Sequence, residues 1–446
     1  MSLRAEPPRD AGPHPLHERL RRAAVQRPDA LLLSVDGQDY SGRQFAALID
    51  HAVLGLLRAG LGVGSFIGWL GHNSAEMLAA LLACSRLGAV FVPLNWRLAA
   101  PELAAIARHA GLSALVGTPE TQALADAVRA LAPSVSPAGS AEASEPPGPS
   151  EPADAAQPGD LMLVYTSGTT GQPKGAMHTQ AGMAANIDLA LAVQGLTAAD
   201  RVLAVLPMFH VGGLCIQVLP ALAVGAELRL QARFDPAAWL DDVAGWRPST
   251  SLLVPAVMQA LLAQPGWAAA DLRSLRFVNC GSQVVPLALI QAFHARGVPV
   301  TQVYGSTETG PVSVALQPAD ALAHPGSVGR PAPGVRLRLL AGPGRLAEAG
   351  AVGEIQLQAP NLMRGYHRQP AGSGFIDGWF ATGDLARQDS GGWITVVGRS
   401  KDLIISGGEN ITRPRSRTWP APGPAWPTLW WWGWPMRAGA RCRCWC

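Results

Sequence analysis

Lysine is almost missing from this 446-residue chain: of 35 basic residues only Lys174 and Lys401 are lysine, and all the others are arginine. Depletion of that kind suggests a GC-rich coding sequence in which surface lysine drifts to arginine, so the two that remain hint at sites needing a compact ammonium. Charge of either sign is also sparse. Charged residues make up 15% of the chain, the formal net charge is +3, and no basic stripe is present, so no nucleic-acid partner is implied. The first sixteen residues lack the apolar stretch of a secretory signal. The most apolar segment, Met77 to Leu94, is broken by Ser85 and Arg86, which reads as a buried helix and strand and not as a transmembrane span. Cys84, Cys215 and Cys280 are scattered without metal-ligand spacing and read as buried free thiols of a cytoplasmic protein.

What is abundant is apolar material, 48% of the chain, enough for a large core. After a tail at 1–15, "HERLRRAAVQRPD" and "SGRQFAALIDHAVLGLLRAG" carry helical spacing, with Ser41 as the N-cap of the second. "SFIGWLG" and "AVFVPLN" read as buried strands, so the pattern is α/β with mostly parallel sheets. Pro, Ala, Ser and Glu dominate 132–157, which reads as a flexible loop. The α/β pattern resumes from Asp160. From about 326 to 397, "GVRLRLL", "GEIQLQA" and "GWITVVG" suggest a small β subdomain. No repeat at solenoid periods is seen.

One stretch concentrates chemistry: "LVYTSGTTGQPKGAMH", residues 163–178. Leu161 to Tyr165 reads as a strand, followed by a glycine-rich loop from Thr166 to Gly175. Backbone N–H groups there approach an anion closely, the hydroxyls of Thr166, Ser167, Thr169 and Thr170 add donors, and Lys174 adds charge. The common P-loop is excluded, because Pro173 precedes the lysine and no Ser or Thr follows it.

In order and composition "YTSGTTGQPKG" resembles the signature loop of the adenylate-forming superfamily, which includes acyl-CoA synthetases, luciferases and the adenylation domains of peptide synthetases. Further segments resemble that family's motifs in the family's order: "LPMFHVGG" (206–213), "VYGSTETG" (303–310), "GWFATGDLA" (378–386) and "GRSKDLIISGGENI" (398–411). The resemblance implies a large amino-terminal domain, 16–397, of two α/β sheet subdomains plus the β subdomain, with a hinge and the start of a second domain at 398–411. It implies that Thr166, Ser167, Gly168, Thr169, Thr170, Gly171 and Lys174 cradle the phosphates of ATP, and that His210 borders the acid's pocket. Gly281, Ser282, Tyr304 and Gly305 would border adenine, Thr307 would contact the α-phosphate, and Glu308 with Thr166 would hold Mg²⁺. Asp384 and Arg399 would grip the ribose, and Lys401 would mark the hinge. Lys174, Thr307, Glu308 and His210 are the expected catalytic set. The implied reaction activates a fatty or aromatic carboxylic acid to acyl-AMP and passes it to coenzyme A. The alternatives are a domain that loads a carrier protein, or a non-catalytic nucleotide-binding remnant. Oligomeric state is not legible.

Two departures qualify the resemblance. At 278–286 the chain reads "VNCGSQVVP", where relatives commonly have Gly-Gly-Ala or Gly-Gly-Glu. After Ile411 it reads "TRPRSRTWPAPGPAWPTLWWWGWPMRAGARCRCWC", with seven of the fourteen tryptophans, three of the six cysteines and no acidic residue. Proline density there opposes helix and strand. Restoring a single base after the Ile411 codon yields Ile-His-Pro-Ala-Glu-Val-Glu-Asp-Val, which the family would have at that point. The expectation is therefore a frameshifted, disordered tail at 412–446, a missing carboxy-terminal domain, no counterpart for that domain's lysine, and impaired turnover.

Overall fold

A computed structural model describes residues 15–137, 156–166, 173–370, 372–399, 404–406 and 409–411. All of these belong to one compact unit that ends at Thr412, so the expected tail at 412–446 lies outside the described residues, as do 1–14 and 138–155.

The chain begins with α1 (Pro15–Gln26), the hairpin β1 (Leu31–Val35) and β2 (Gln38–Ser41), and α2 (Gly42–Arg58). Ser41 starts α2 through a reciprocal capping box. Its hydroxyl accepts from the Gln44 amide at 3.3 Å, and Gln44 Oε1 accepts from the Ser41 N–H at 2.8 Å. Then come β3 (Phe66–Leu70), α3 (Ala75–Leu87), β4 (Val90–Leu94), α4 (Ala100–Ala110), β5 (Ala114–Gly117), α5 (Gln122–Leu131) and β6 (Ser136–Pro137). The apolar run from Met77 to Leu94 is thus a buried helix that stops at left-handed Gly88, followed by a strand buried at every position. Packing continues past the expected start of the loop at 132. Ala132 and Val135 are buried and β6 pairs with β5.

The second half supplies β7 (Asp160–Thr166), β8 (Lys174–Thr179), α6 (Gln180–Gln194), β9 (Arg201–Ala204), β10 (Glu227–Leu230), β11 (Thr250–Leu253), β12 (Phe277–Gly281), β13 (Val300–Tyr304), β14 (Val314–Ala315) and β15 (Arg330–Pro331). The remaining strands are β16 (Arg336–Gly342), β17 (Arg345–Leu346), β18 (Val352–Gln358), β19 (Gly365–Tyr366), β20 (Phe375–Ile376), β21 (Trp379–Gln388) and β22 (Ile394–Arg399), then the pair β23 (Ile404–Ser406) and β24 (Glu409–Ile411).

These strands form a nine-stranded sheet in the order β15-β14-β13-β12-β11-β9-β10-β1-β2 and a seven-stranded sheet in the order β19-β8-β7-β4-β3-β5-β6. Both are parallel in the middle; the nine-stranded sheet is antiparallel at both edges, whereas the seven-stranded sheet is antiparallel at its β19 edge and parallel at its β6 edge. The third sheet, built from β16, β17, β18, β20, β21 and β22, is antiparallel. Parallel strands need cover on both faces, which is why β3 and β4 read as unbroken apolar runs. The β subdomain expected at 326–397 is less self-contained than its sequence suggests. β15 completes the nine-stranded sheet and β19 completes the seven-stranded one.

Candidate active site

Thr166, Gly281 and Tyr304 close β7, β12 and β13 at the carboxyl ends of strands with parallel neighbours, the end at which open α/β sheets bind ligands. Thr166 is the last residue of β7. Lys174 is not a loop residue but the first of β8, paired across the hairpin with Thr166, so the loop is shorter than the sequence indicated. Ser167, Gly168, Thr169, Thr170 and Gly171 lie outside the described residues, as does Lys401.

A row of side-chain contacts runs from Lys174 towards β13. Its ammonium lies 5.1 Å from the ring centroid of Tyr366, a cation–π approach. The Tyr366 hydroxyl donates to Glu308 Oε1 at 2.9 Å. Burial raises the Tyr366 phenol, and the adjacent Glu308 charge raises it further, so it remains a donor. Glu308 sits on the short turn Thr307–Thr309. The His178 ring on β8 is fully buried, and its Nε2 has no hydrogen-bond partner. Burial lowers His178 to about 4, leaving it a neutral imidazole. β19 reaches this place by pairing with β8, and the Met363 amide bonds the Glu308 carbonyl at 2.8 Å.

The other pole is Asp384, buried on β21. Arg399, its cross-strand partner on β22, reaches Oδ1 with Nε at 2.7 Å, and the Tyr304 hydroxyl donates to Oδ2 at 2.9 Å. Burial raises the Asp384 carboxyl, opposed by Arg399 and Tyr304, and the charge of Glu308 adds to the rise. A carboxylate offers about four lone-pair positions, so those two contacts leave others for a diol. Tyr304 itself is buried, with its hydroxyl committed to Asp384.

Gly305 follows β13, and a Cβ there would fall 1.8 Å from the Pro311 carbonyl oxygen, so only glycine fits. Gly281 ends β12, and Ser282 is left-handed at φ +74°, an unusual conformation for a residue with a side chain. His210 precedes the short helix Val211–Gly213 with its ring 4.4 Å from that of Phe209. Cys84, Cys215 and Cys280 are buried free thiols, as the sequence suggests.

Three residues near the site escaped sequence analysis. Ser306 lies inside a recognised motif, yet its role is visible only in three dimensions: Oγ is buried with no hydrogen-bond partner. Tyr366 lay outside the motifs compared, and His178, the last residue of the stretch 163–178, was given no role. Scarcity was the available signal, because the chain has four tyrosines, and Tyr165, Tyr304 and Tyr366 stand at or beside this site.

The donor set suits a metal shared with phosphate. Among the described residues no three His, Cys, Asp or Glu side chains cluster. A lone carboxylate beside hydroxyls is the kind of partial set that Mg²⁺ takes when substrate phosphates and water complete its shell. The orphaned Ser306 hydroxyl likewise fits a polar ligand.

Residues 20–367 match the family described as AMP-binding enzyme, and the chain belongs to it. An indoleacetate–CoA ligase of Aromatoleum aromaticum is 42% identical over 411 residues, covering 89% of this chain and 80% of that protein. A feruloyl-CoA synthase of an Amycolatopsis species is 38% identical over 395 residues, covering 87% and 79%. The N-terminal domain of FACL13 from Mycobacterium tuberculosis, solved with an inhibitor, superposes with a TM-score of 0.77 at 27% identity, covering 86% of this chain and 99% of that one. The chain is thus an adenylate-forming acid–CoA ligase by family, with ATP, Mg²⁺ and coenzyme A as its reactants and metal. Among the described residues no helix is long and apolar enough to cross a membrane.

Proposed function

We propose that this chain activates an aromatic carboxylic acid, with the ATP phosphates lying along the row from Lys174 to Glu308 and the ribose at Asp384. The observation that carries this reading is the set of contacts itself: Lys174 meets Tyr366, Tyr366 meets Glu308, and Tyr304, at the end of the strand that leads to the Glu308 turn, meets Asp384. The aromatic class draws support from the indoleacetate and feruloyl relatives, which match at higher identity than the 31% of the long-chain-fatty-acid–CoA ligase FadD13.

In the first half-reaction a carboxylate oxygen attacks the α-phosphorus of ATP and pyrophosphate leaves. Protein groups act there by positioning and by neutralising charge. We assign Lys174 and the loop Thr166, Ser167, Gly168, Thr169, Thr170 and Gly171 to the leaving pyrophosphate, Thr307 and Ser306 to the α-phosphate, and Asp384 with Arg399 to the ribose hydroxyls. Gly281, Ser282, Tyr304 and Gly305 border the base, and His210 borders the acid. Glu308 and Thr166 would hold Mg²⁺, which neutralises phosphate charge when bound. Tyr366 fixes the direction of the Glu308 carboxylate. The buried thiols agree with a reducing cytoplasm.

Acid-dependent exchange of pyrophosphate into ATP tests the first half-reaction. Aryl acids are expected to support exchange, and Lys174→Ala and Asp384→Ala to raise the KM for ATP. Absence of both exchange and ATP binding with every acid overturns the reading. A carrier-protein ligase of Streptomyces coeruleorubidus is 31% identical over 407 residues, so coenzyme A and a carrier protein are to be compared as acceptors. Comparison with a chain whose frame is restored after Ile411 tests the impaired turnover; equal rates would remove that proposal.

A further inference from the structure

Beneath the site lies a buried polar layer that the nucleotide reading does not use. Gln194 ends α6, Gln217 belongs to the π-helical turn Leu214–Val218, and Thr250, Asn279 and Thr301 lie on β11, β12 and β13. Its hydrogen bonds have a fixed direction. Gln194 Nε2 donates to the carbonyls of Ala190 at 3.2 Å and Ile216 at 2.8 Å, which can only accept, so Gln194 Oε1 must be the acceptor end. It accepts from Asn279 Nδ2 and from Gln217 Nε2, the latter at 3.1 Å. Gln217 Nε2 also lies 3.0 Å from Thr250 Oγ1. The amide of Gln217 is thereby oriented, and its Oε1 is left buried with no partner. Such an acceptor is costly unless a donor reaches it.

The layer lies on the sheet face that leads to the site. Asn279 and Gly281 are two residues apart on β12 and so share a face, about 7 Å apart. Asn279 pairs with Thr301 and Gly281 with Val303. Ile216, Leu252 and Val303 belong to one apolar cluster beside the layer. Along the helical segment, His210 and Gln217 are seven residues apart, about 10 Å.

We propose that Gln217 is the far end of the acid's subsite, and that it selects a compact aryl or arylalkyl acid whose ring carries an N–H or O–H donor at the end away from its carboxylate, the glutamine side chain and the hydrogen bond spanning the rest of that roughly 10 Å. This deepens the activation reading above and rests on His210 bordering the acid. A long alkyl chain meets an unsatisfied carbonyl at that depth, whereas a ring N–H or phenol completes it.

Calorimetric binding of three acyl-sulfamoyl adenosines to the full chain tests this without requiring turnover. The indol-3-ylacetyl compound is expected to bind at least tenfold tighter than its benzofuran-3-ylacetyl isostere and than the decanoyl compound. Gln217→Leu is expected to bring the isosteric pair within threefold; if that variant does not fold, Gln217→Met takes its place. Equal binding of the pair by the natural chain, tighter binding of the decanoyl compound, or a ratio that survives the substitution overturns the inference and leaves the activation reading intact. Failure of all three compounds to bind overturns the activation reading itself.

Discussion

Asp384 and His178 show how single buried groups constrain this protein. Removing the Asp384 carboxylate leaves Arg399 and the Tyr304 hydroxyl without their acceptor in a mostly buried position. Asp384→Ala should therefore cost about 2–5 kcal/mol in urea unfolding as well as weakening ATP binding. Asp384→Asn, which keeps an acceptor for Tyr304, should cost less. His178 ties stability to pH. Its ordinary value of 6.5 falls to about 4 in the fold because of burial, so between those values the unfolded chain binds a proton that the folded chain does not. Stability must then fall as the pH drops from 6.5 to 4, by about 3 kcal/mol once both forms are protonated. Urea midpoints across that range check this, and His178→Leu should flatten the slope. At this scale the sequence was informative wherever a residue type was scarce. Lys174 stood out because lysine is rare, while Tyr366 was overlooked although tyrosine, with four residues, is also scarce.

Among elements, the hairpin of β7 and β8 brings the loop stem to the site. Tyr165 pairs with Gly175 and Thr166 with Lys174. A Cβ on Gly175 would lie 2.7 Å from Leu163 Cδ1 and 3.3 Å from Tyr165 Cζ. Gly175→Ala should push those side chains aside, at about 1–3 kcal/mol, and raise the KM for ATP by displacing Lys174; thermal unfolding and pyrophosphate exchange measure the two effects. Ser41→Ala, remote from the site, should cost about 1 kcal/mol through loss of the α2 cap and leave ATP binding unchanged. Local signals fixed these elements well. Ser41 announced α2, whereas Ser85 and Arg86, which interrupt the apolar run in sequence, lie inside α3, and it is left-handed Gly88 that separates α3 from β4. The hairpin was less legible, because a glycine-rich stretch reads as loop until cross-strand pairing shows that its lysine already belongs to a strand.

Taken as a whole, the described residues enclose Cys84, Cys215 and Cys280 completely, and burial pushes the Cys280 thiol up to about 12. Under native conditions these three should resist alkylation, and in denaturant they should react; peptide mass spectrometry distinguishes them from the cysteines of the tail. Modification of any of the three in the folded protein would contradict this packing.

By itself the amino-acid sequence determined the α/β class, the helix starts, the buried strands, and which residue types could meet a nucleotide. Those features depend on periodicity, capping and motif order, all of which act over a few neighbouring residues. Only the tertiary structure decided that β19 crosses to β8 and carries Tyr366 to Glu308, that Tyr304 and Arg399 share Asp384, and that Gln217 is left with an unmet carbonyl. These contacts join segments 58, 80 and 23 positions apart. Their energy comes from burial and pairing across sheets, which no short stretch of sequence encodes.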